Sequence, residues 1–140
     1  MMPGKKQVFL SYSSENEFEA GLLQFALETM LADLDITVWS YQRDQARNQR
    51  GIADSLKACI QRSKATIFLV SPHTLAAGAA QWMELAYSDA FGIPTFVLLH
   101  HVSFRELKSK KGIPPFLLEV QCNAAVDWKN IFPDLRACLS

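Results

Sequence analysis

Residues 65–70 read Ala-Thr-Ile-Phe-Leu-Val, a continuous apolar run of strand length with no alternation between polar and apolar positions. Such a run fits a central strand buried on both faces, which implies layers packed above and below it. On its amino side, Ile52, Leu56 and Ile60 recur at helical spacing, so Ile52–Arg62 is read as a helix. On its carboxyl side, Ser71-Pro72 breaks the strand and the small residues 76–80 connect it to a helix from about Gln81 to Phe91. Gly92 then supplies a helix stop, and Pro94–Leu99 is a second apolar strand.

The same alternation continues outward. Gln7–Tyr12 is a short apolar run closed by Ser13, Ser14 and Asn16, and is read as a strand. From Glu17 the period changes: Phe18, Leu22, Phe25, Leu27, Met30, Leu31 and Leu34 define a helix with one broad apolar face, capped by Ser14 or Asn16. Ile36–Trp39 is another strand, followed by a long polar and basic loop from Tyr41 to Arg50 that ends at Gly51. Ser103–Lys111 is polar and basic, Gly112-Ile113-Pro114-Pro115 is a loop, Ala124–Val126 is a short fifth strand, and Asn130–Leu139 closes the chain as a helix. The order predicts one α/β domain over 1–140, a parallel sheet with helices on both faces.

Composition narrows the function. Lys plus Arg number 14 against 14 Asp plus Glu, so no net field draws nucleic acid or an anionic membrane to the molecule. Apolar residues make up 49% of the chain and charged ones 20%, enough to bury a core. No apolar run reaches the roughly 20 residues of a membrane span, and Met1–Gln7 lacks a signal-peptide stretch, so the expected location is the cytoplasm. Cys59, Cys122 and Cys138 are too far apart to suggest a disulfide framework or a zinc site, and are read as buried thiols. With His100 and His101 adjacent, no metal-ligand spacing emerges.

An open parallel sheet binds ligands beyond the carboxyl ends of its strands. That directs attention to 11–15, 40–51, 71–82 and 100–103. None of these segments carries a dinucleotide fingerprint, a phosphate-cradling loop or a nucleophile elbow. What they do carry is an ordered set: Phe9-Leu10-Ser11-Tyr12-Ser13, Val38-Trp39 with Arg43-Asp44, Phe68-Leu69-Val70-Ser71-Pro72, and Trp82-Met83-Glu84-Leu85. This set resembles the Toll/interleukin-1 receptor (TIR) domain family in its bacterial style, over Lys6 to about Leu139.

The resemblance implies a flavodoxin-like fold with a five-stranded parallel sheet. It further implies cleavage of NAD at the nicotinamide-ribose bond, to ADP-ribose or a cyclic variant, in immune or cell-death signalling such as antiphage defence. The catalytic carboxylate would be Glu84, whose distances to Gly92 and Pro94 match the family's register. Met83 alone separates Trp82 from Glu84, a shorter interval than the family commonly shows. NAD would be a substrate, with no further cofactor and no metal. Substrate contacts are expected from Phe9, Ser11, Tyr12, Trp39, Arg43, Asp44, Ser71 and Trp82. Self-association is expected through the loop carrying Arg47, Arg50 and Gly51, with a sensor domain or separate partner protein as a possible activator. The alternative is a non-catalytic module that signals by homotypic assembly. A receiver or nucleotide binder is disfavoured, because no acidic cluster follows the first strand to hold magnesium.

The chemistry stands without the family. Nicotinamide leaves NAD as a neutral ring, so no general acid is required and one carboxylate suffices, unlike ordinary glycoside cleavage. Positive charge develops on the ribose, and a carboxylate placed there stabilises it. The aromatic rings are candidates for stacking on nicotinamide or adenine, and Arg43 for the diphosphate. Each residue also has a structural reading: Glu84 opposes a helix dipole, Phe9 and Trp39 pack in the core, Ser71 ends a strand, and the arginines lie on a solvated loop.

Overall fold

The computed structural model describes residues 6–40, 52–77, 79–109 and 121–139. Five strands, β1 (Lys6–Ser11), β2 (Ile36–Ser40), β3 (Ala65–Val70), β4 (Thr95–Leu99) and β5 (Gln121–Ala124), form one sheet in the order β2-β1-β3-β4-β5. Every pairing is parallel. The helices are α1 (Glu17–Met30), α2 (Ile52–Arg62), α3 (Pro72–Ala77), α4 (Ala79–Ala90), α5 (Phe104–Ser109) and α6 (Phe132–Leu139). The expected flavodoxin-like architecture is therefore the observed one.

Residues 65–70 are buried throughout, as a strand covered on both faces must be. Alternate side chains divide between two cores. Val8, Leu10, Ile36, Val38, Ile67, Leu69 and Leu98 pack under Leu27 of α1, Leu31 just past its end, and Leu135 and Leu139 of α6. On the opposite face, Phe68, Val70, Val97 and Leu99 meet Leu85 of α4 and Leu107 of α5, while Phe9 and Trp39 meet Cys59 and Ile60 of α2. The reversal of direction between β1→β2 and β2→β3 puts α1 and α2 on opposite faces when both crossovers are right-handed. It also creates a switch point between β1 and β3.

Several details depart from the sequence reading. Ser71-Pro72 does not lead into a connecting loop; it starts α3. The Ser71 N–H donates to Thr74 Oγ1 (3.1 Å), the Thr74 N–H donates back to Ser71 Oγ (3.4 Å), and Pro72 takes the first helical position. The fifth strand lies at Gln121–Ala124, with a 3-10 segment over Ala125–Ile131 where the sequence suggested a strand at 124–126. Gly92 stops α4 as expected, with φ +67° and its N–H donating to the Asp89 carbonyl (3.0 Å). Cys59 is buried, Cys122 and Cys138 are half-buried, and none of the three forms a disulfide among the described residues.

The largest correction concerns α1. Phe18, Leu22, Phe25 and Met30, expected on its core face, are exposed, whereas Ala20, Gln24, Leu27 and Leu31 are buried. Gln24 accounts for the rotation: its Nε2 donates to the Val38 carbonyl (2.6 Å) and its Oε1 accepts from Ser40 Oγ (3.2 Å). An apolar side chain there would leave those β2 groups without this partner.

Candidate active site

The end of β1 and the start of α4 meet at the switch point. Ser11 shares one face of β1 with Phe9 and Gln7 and so projects to the α4 face, where its Oγ donates to Glu84 Oε1 (2.8 Å). Both side chains are buried, Glu84 being only 8% exposed. Burial pushes the Glu84 carboxyl up to about 7, offset in part by the Ser11 hydrogen bond, which favours the ionised form. Among the described residues no cationic side chain pairs with Glu84.

One helical turn before Glu84, Gln81 anchors a second polar group. Gln81 Nε2 donates to the Leu69 carbonyl (3.1 Å) and Gln81 Oε1 accepts from Thr74 Oγ1 (2.6 Å). Ser71 Oγ donates to Asn16 Oδ1 (2.6 Å). Asn16 Nδ2 in turn donates to Glu19 Oε2 (2.5 Å), which holds the Glu19 carboxyl below its usual range. Asn16, Ser71, Thr74 and Gln81 are all buried. Asn16 also precedes α1, but its side chain caps nothing there and is spent on this network.

The expected site residues separate into groups. Ser11 and Glu84 are brought together, and Ser71 lies in the adjoining network. Phe9 and Trp39 stack on each other, centroids 5.1 Å apart and planes 12° apart, within the core under α2. Tyr12 packs on the α1 side of the sheet, and Trp82 packs with Phe68 and Val70 on the other. Arg43, Asp44, Arg47, Arg50 and Gly51 lie outside the described residues. Asn16, Thr74 and Gln81 were not singled out as site residues; their signal was position alone, polar residues just past β1 and β3. No group of His, Cys, Asp or Glu suited to a metal occurs among the described residues.

An apolar cavity of about 410 Å³ lies on the other side of the sheet from Glu84. It runs between α1 (Leu22, Leu23, Ala26) and Leu98, His100 and Trp128, with Glu19 at its rim. The chemistry of Glu84 and this apolar cavity are thus on different faces.

No family model matches the sequence, and no curated protein is similar to it in sequence. Solved structures share the fold. A metazoan TIR-STING receptor from C. gigas, in complex with 2',3'-cGAMP, superposes with a TM-score of 0.70 at 18% identity over 100% of this chain. This chain spans 41% of that receptor chain's length. A 2-desoxiribosyltransferase from Leishmania mexicana gives 0.65 at 13% identity, over 91% of this chain and 95% of that one. The TIR domains of the activated Roq1 resistosome, which directly recognises the pathogen effector XopQ, give 0.61 at 16% identity, over 96% and 81%. The chain has a TIR-like fold, an α/β architecture that a 2-desoxiribosyltransferase also has.

Proposed function

We propose that the protein is an NAD glycohydrolase that breaks the nicotinamide-ribose bond, releasing nicotinamide and ADP-ribose or a cyclic variant. The observation that carries this reading is a buried carboxylate, Glu84, with a serine donor and no cationic partner among the described residues, at the switch point of the sheet. A carboxylate in such surroundings is poorly stabilised when ionised and alone, and gains most when positive charge forms beside it. Cleavage of NAD forms that charge on the ribose only as the bond breaks, so the interaction strengthens toward the transition state. The neutral departure of nicotinamide removes the need for a second acid.

The likeness to TIR domains supports this reading. The likeness to the desoxiribosyltransferase favours a second one, exchange at a nucleoside's N-glycosidic bond through the same carboxylate. We further propose self-association of the chain, in immune or cell-death signalling in the cytoplasm, with the 40–51 loop contributing. A purely scaffolding role is the non-enzymatic alternative. No helix of the described residues is long and apolar enough to cross a membrane.

The test is incubation of the purified protein with NAD and, separately, with a deoxynucleoside plus free base, followed by chromatography. Nicotinamide release that disappears in Glu84→Gln supports the first reading. Base exchange without nicotinamide release supports the second, and neither reaction at any protein concentration leaves the scaffold.

A further inference from the structure

We infer that the cavity between α1 and Trp128 is a second ligand site, suited to a flat aromatic molecule that carries a primary ammonium. It is separate from the chemistry of Glu84, which lies on the other face of the sheet. Leu69 of β3 and Leu98 of β4 line the cavity, each one residue before the end of its strand, where open α/β sheets hold ligands. The volume of about 410 Å³ lies within the range of small-molecule sites, about 300–1,000 Å³. Phe25 of α1 and Trp128 bound it. Phe25 is 72% exposed, and the Trp128 ring meets Phe132 edge-on, centroids 5.2 Å apart and planes at 81°. Aromatic rings over an apolar floor favour a planar guest.

The polar end of the cavity is a carboxylate held from behind. Glu19 Oε2 accepts from Asn16 Nδ2 (2.5 Å), and Asn16 Oδ1 accepts from Ser71 Oγ (2.6 Å). Asn16 and Ser71 are buried, whereas the Glu19 side chain is 33% exposed. Glu19 stands three residues after Asn16, the spacing of a capping box, in which the glutamate would accept from the Asn16 backbone N–H. That N–H donates to the Ser13 carbonyl instead (2.8 Å), and the Asn16 side chain caps nothing. Both side chains are thus spent on fixing a charged oxygen at the rim of an apolar cavity, the support expected behind a binding group.

The neighbours of Glu19 define what it takes. A carboxylate offers about four acceptor positions, so Glu19 has capacity for a further donor. His100 Nε2 lies 3.7 Å from the same Glu19 oxygen, an ion-pair distance when the ring is protonated but too long for a hydrogen bond. A primary ammonium carries three N–H donors; seated here it donates to Glu19 and to the unprotonated His100 ring, so that the ligand's charge replaces the histidine's. Lys129 Nζ is 5.8 Å from the Trp128 ring centroid, which disfavours a second cation at that wall and directs the ammonium to Glu19.

The test is isothermal titration calorimetry with tryptamine and with 3-ethylindole, the same ring and side chain without the ammonium. Tryptamine should bind one to one with a Kd of about 1 mM or tighter, at least about tenfold better than 3-ethylindole. Glu19→Gln should erase that preference. Ala26→Leu, which fills the cavity from α1, should weaken binding of tryptamine at least about tenfold, and Ala125→Leu is the substitute should Ala26→Leu melt early. Glu84→Gln should bind tryptamine as the parent does. No saturable binding, equal affinity for the two probes, or binding that survives the filled cavity overturns the inference. Loss of binding in Glu84→Gln also overturns it, by assigning the amine to the other carboxylate, and binding that disappears as protein concentration rises does so by giving the groove to a second copy. Nicotinamide release from the same parent sample reports on the NAD reading separately.

Discussion

The crevice at the carboxyl ends of β1 and β3 and the outer face of α1 invert the usual partition of side chains in opposite ways. The crevice buries a carboxylate, three hydroxyls and two side-chain amides in Glu84, Ser11, Ser71, Thr74, Asn16 and Gln81. The α1 face exposes two phenylalanines and a leucine. Buried polar and exposed apolar groups are the informative exceptions to burial rules, and they mark where sequence serves something besides folding. The crevice answers most of its own demand, since each of these hydroxyls and amides has a partner on the same chain; the α1 stripe answers none of it. Glu84 stands between these cases: among the described residues it has one hydrogen bond, from Ser11, and no counter-charge.

The sharpest way to break the comparison is Glu84→Gln. It keeps the side chain's shape and removes its charge, so nicotinamide release should fall by about a thousandfold or more. The same substitution should stabilise the fold at neutral and alkaline pH. Glu84 has its carboxyl raised from 4.5 to about 7 by burial. Between those values the folded chain holds a proton that the unfolded chain has released, so stability falls as pH rises through this window and levels off above it. The Glu84→Gln protein escapes that fall. It should exceed the parent by about 3 kcal/mol in denaturant titrations at pH 8, an advantage that vanishes below pH 4.5. A variant less stable than its parent at pH 8 would mean that the ionised carboxylate is compensated by groups outside the described residues.

The pH dependence of turnover sharpens the same point. If the ionised carboxylate is the working form, kcat/KM should rise with pH around a midpoint of about 7. Ser11 donates to the ionised form, so Ser11→Ala should move that midpoint upward, retaining activity at high pH and losing it near neutrality. An unmoved midpoint would show that Ser11 only fills space.

Within the polar network, Ser71→Ala removes the donor to Asn16 Oδ1 and the acceptor for the Thr74 N–H. Leaving a buried amide oxygen unpaired costs about 1–3 kcal/mol, read as a lower urea midpoint with unchanged slope.

The two regions were unequally legible in the sequence. Apolar runs and stop signals identified four of the five strands, because a strand buried on both faces has few ways to be written. β5 was misplaced by about three residues, since Gln-Cys-Asn-Ala has no apolar run and owes its place to pairing with β4. Glu84 could be found by its place after the third strand and by motif. Its partnership with Ser11 spans 73 positions and belongs to the fold alone. The rotation of α1 was invisible, because periodicity reports that a helix has an apolar stripe but not whether that stripe faces the protein's own core. Gln24 decided it, through the hydrogen bonds it makes to β2.

The smallest expected effect tests the exposed half of the comparison. In the monomer, Phe25→Ser should change stability by less than about 0.5 kcal/mol, because surface substitutions away from caps, cores and networks seldom do more. Serine and phenylalanine have similar helix propensities, so the backbone preference of α1 barely changes. Two residues further on, Leu27 is fully buried, which gives the same helix an internal contrast between a stripe that folds the chain and one that does not. The measurement is a urea titration at a concentration low enough to dissociate assemblies, with the fitted slope compared to the parent's. A loss of several kcal/mol would mean that Phe25 is packed within the isolated chain, and the α1 stripe would then belong to the core that the periodicity first suggested. A negligible change would leave Phe25 with no folding role, so an exposed aromatic ring on the outer face of α1 would have to be explained by what binds there.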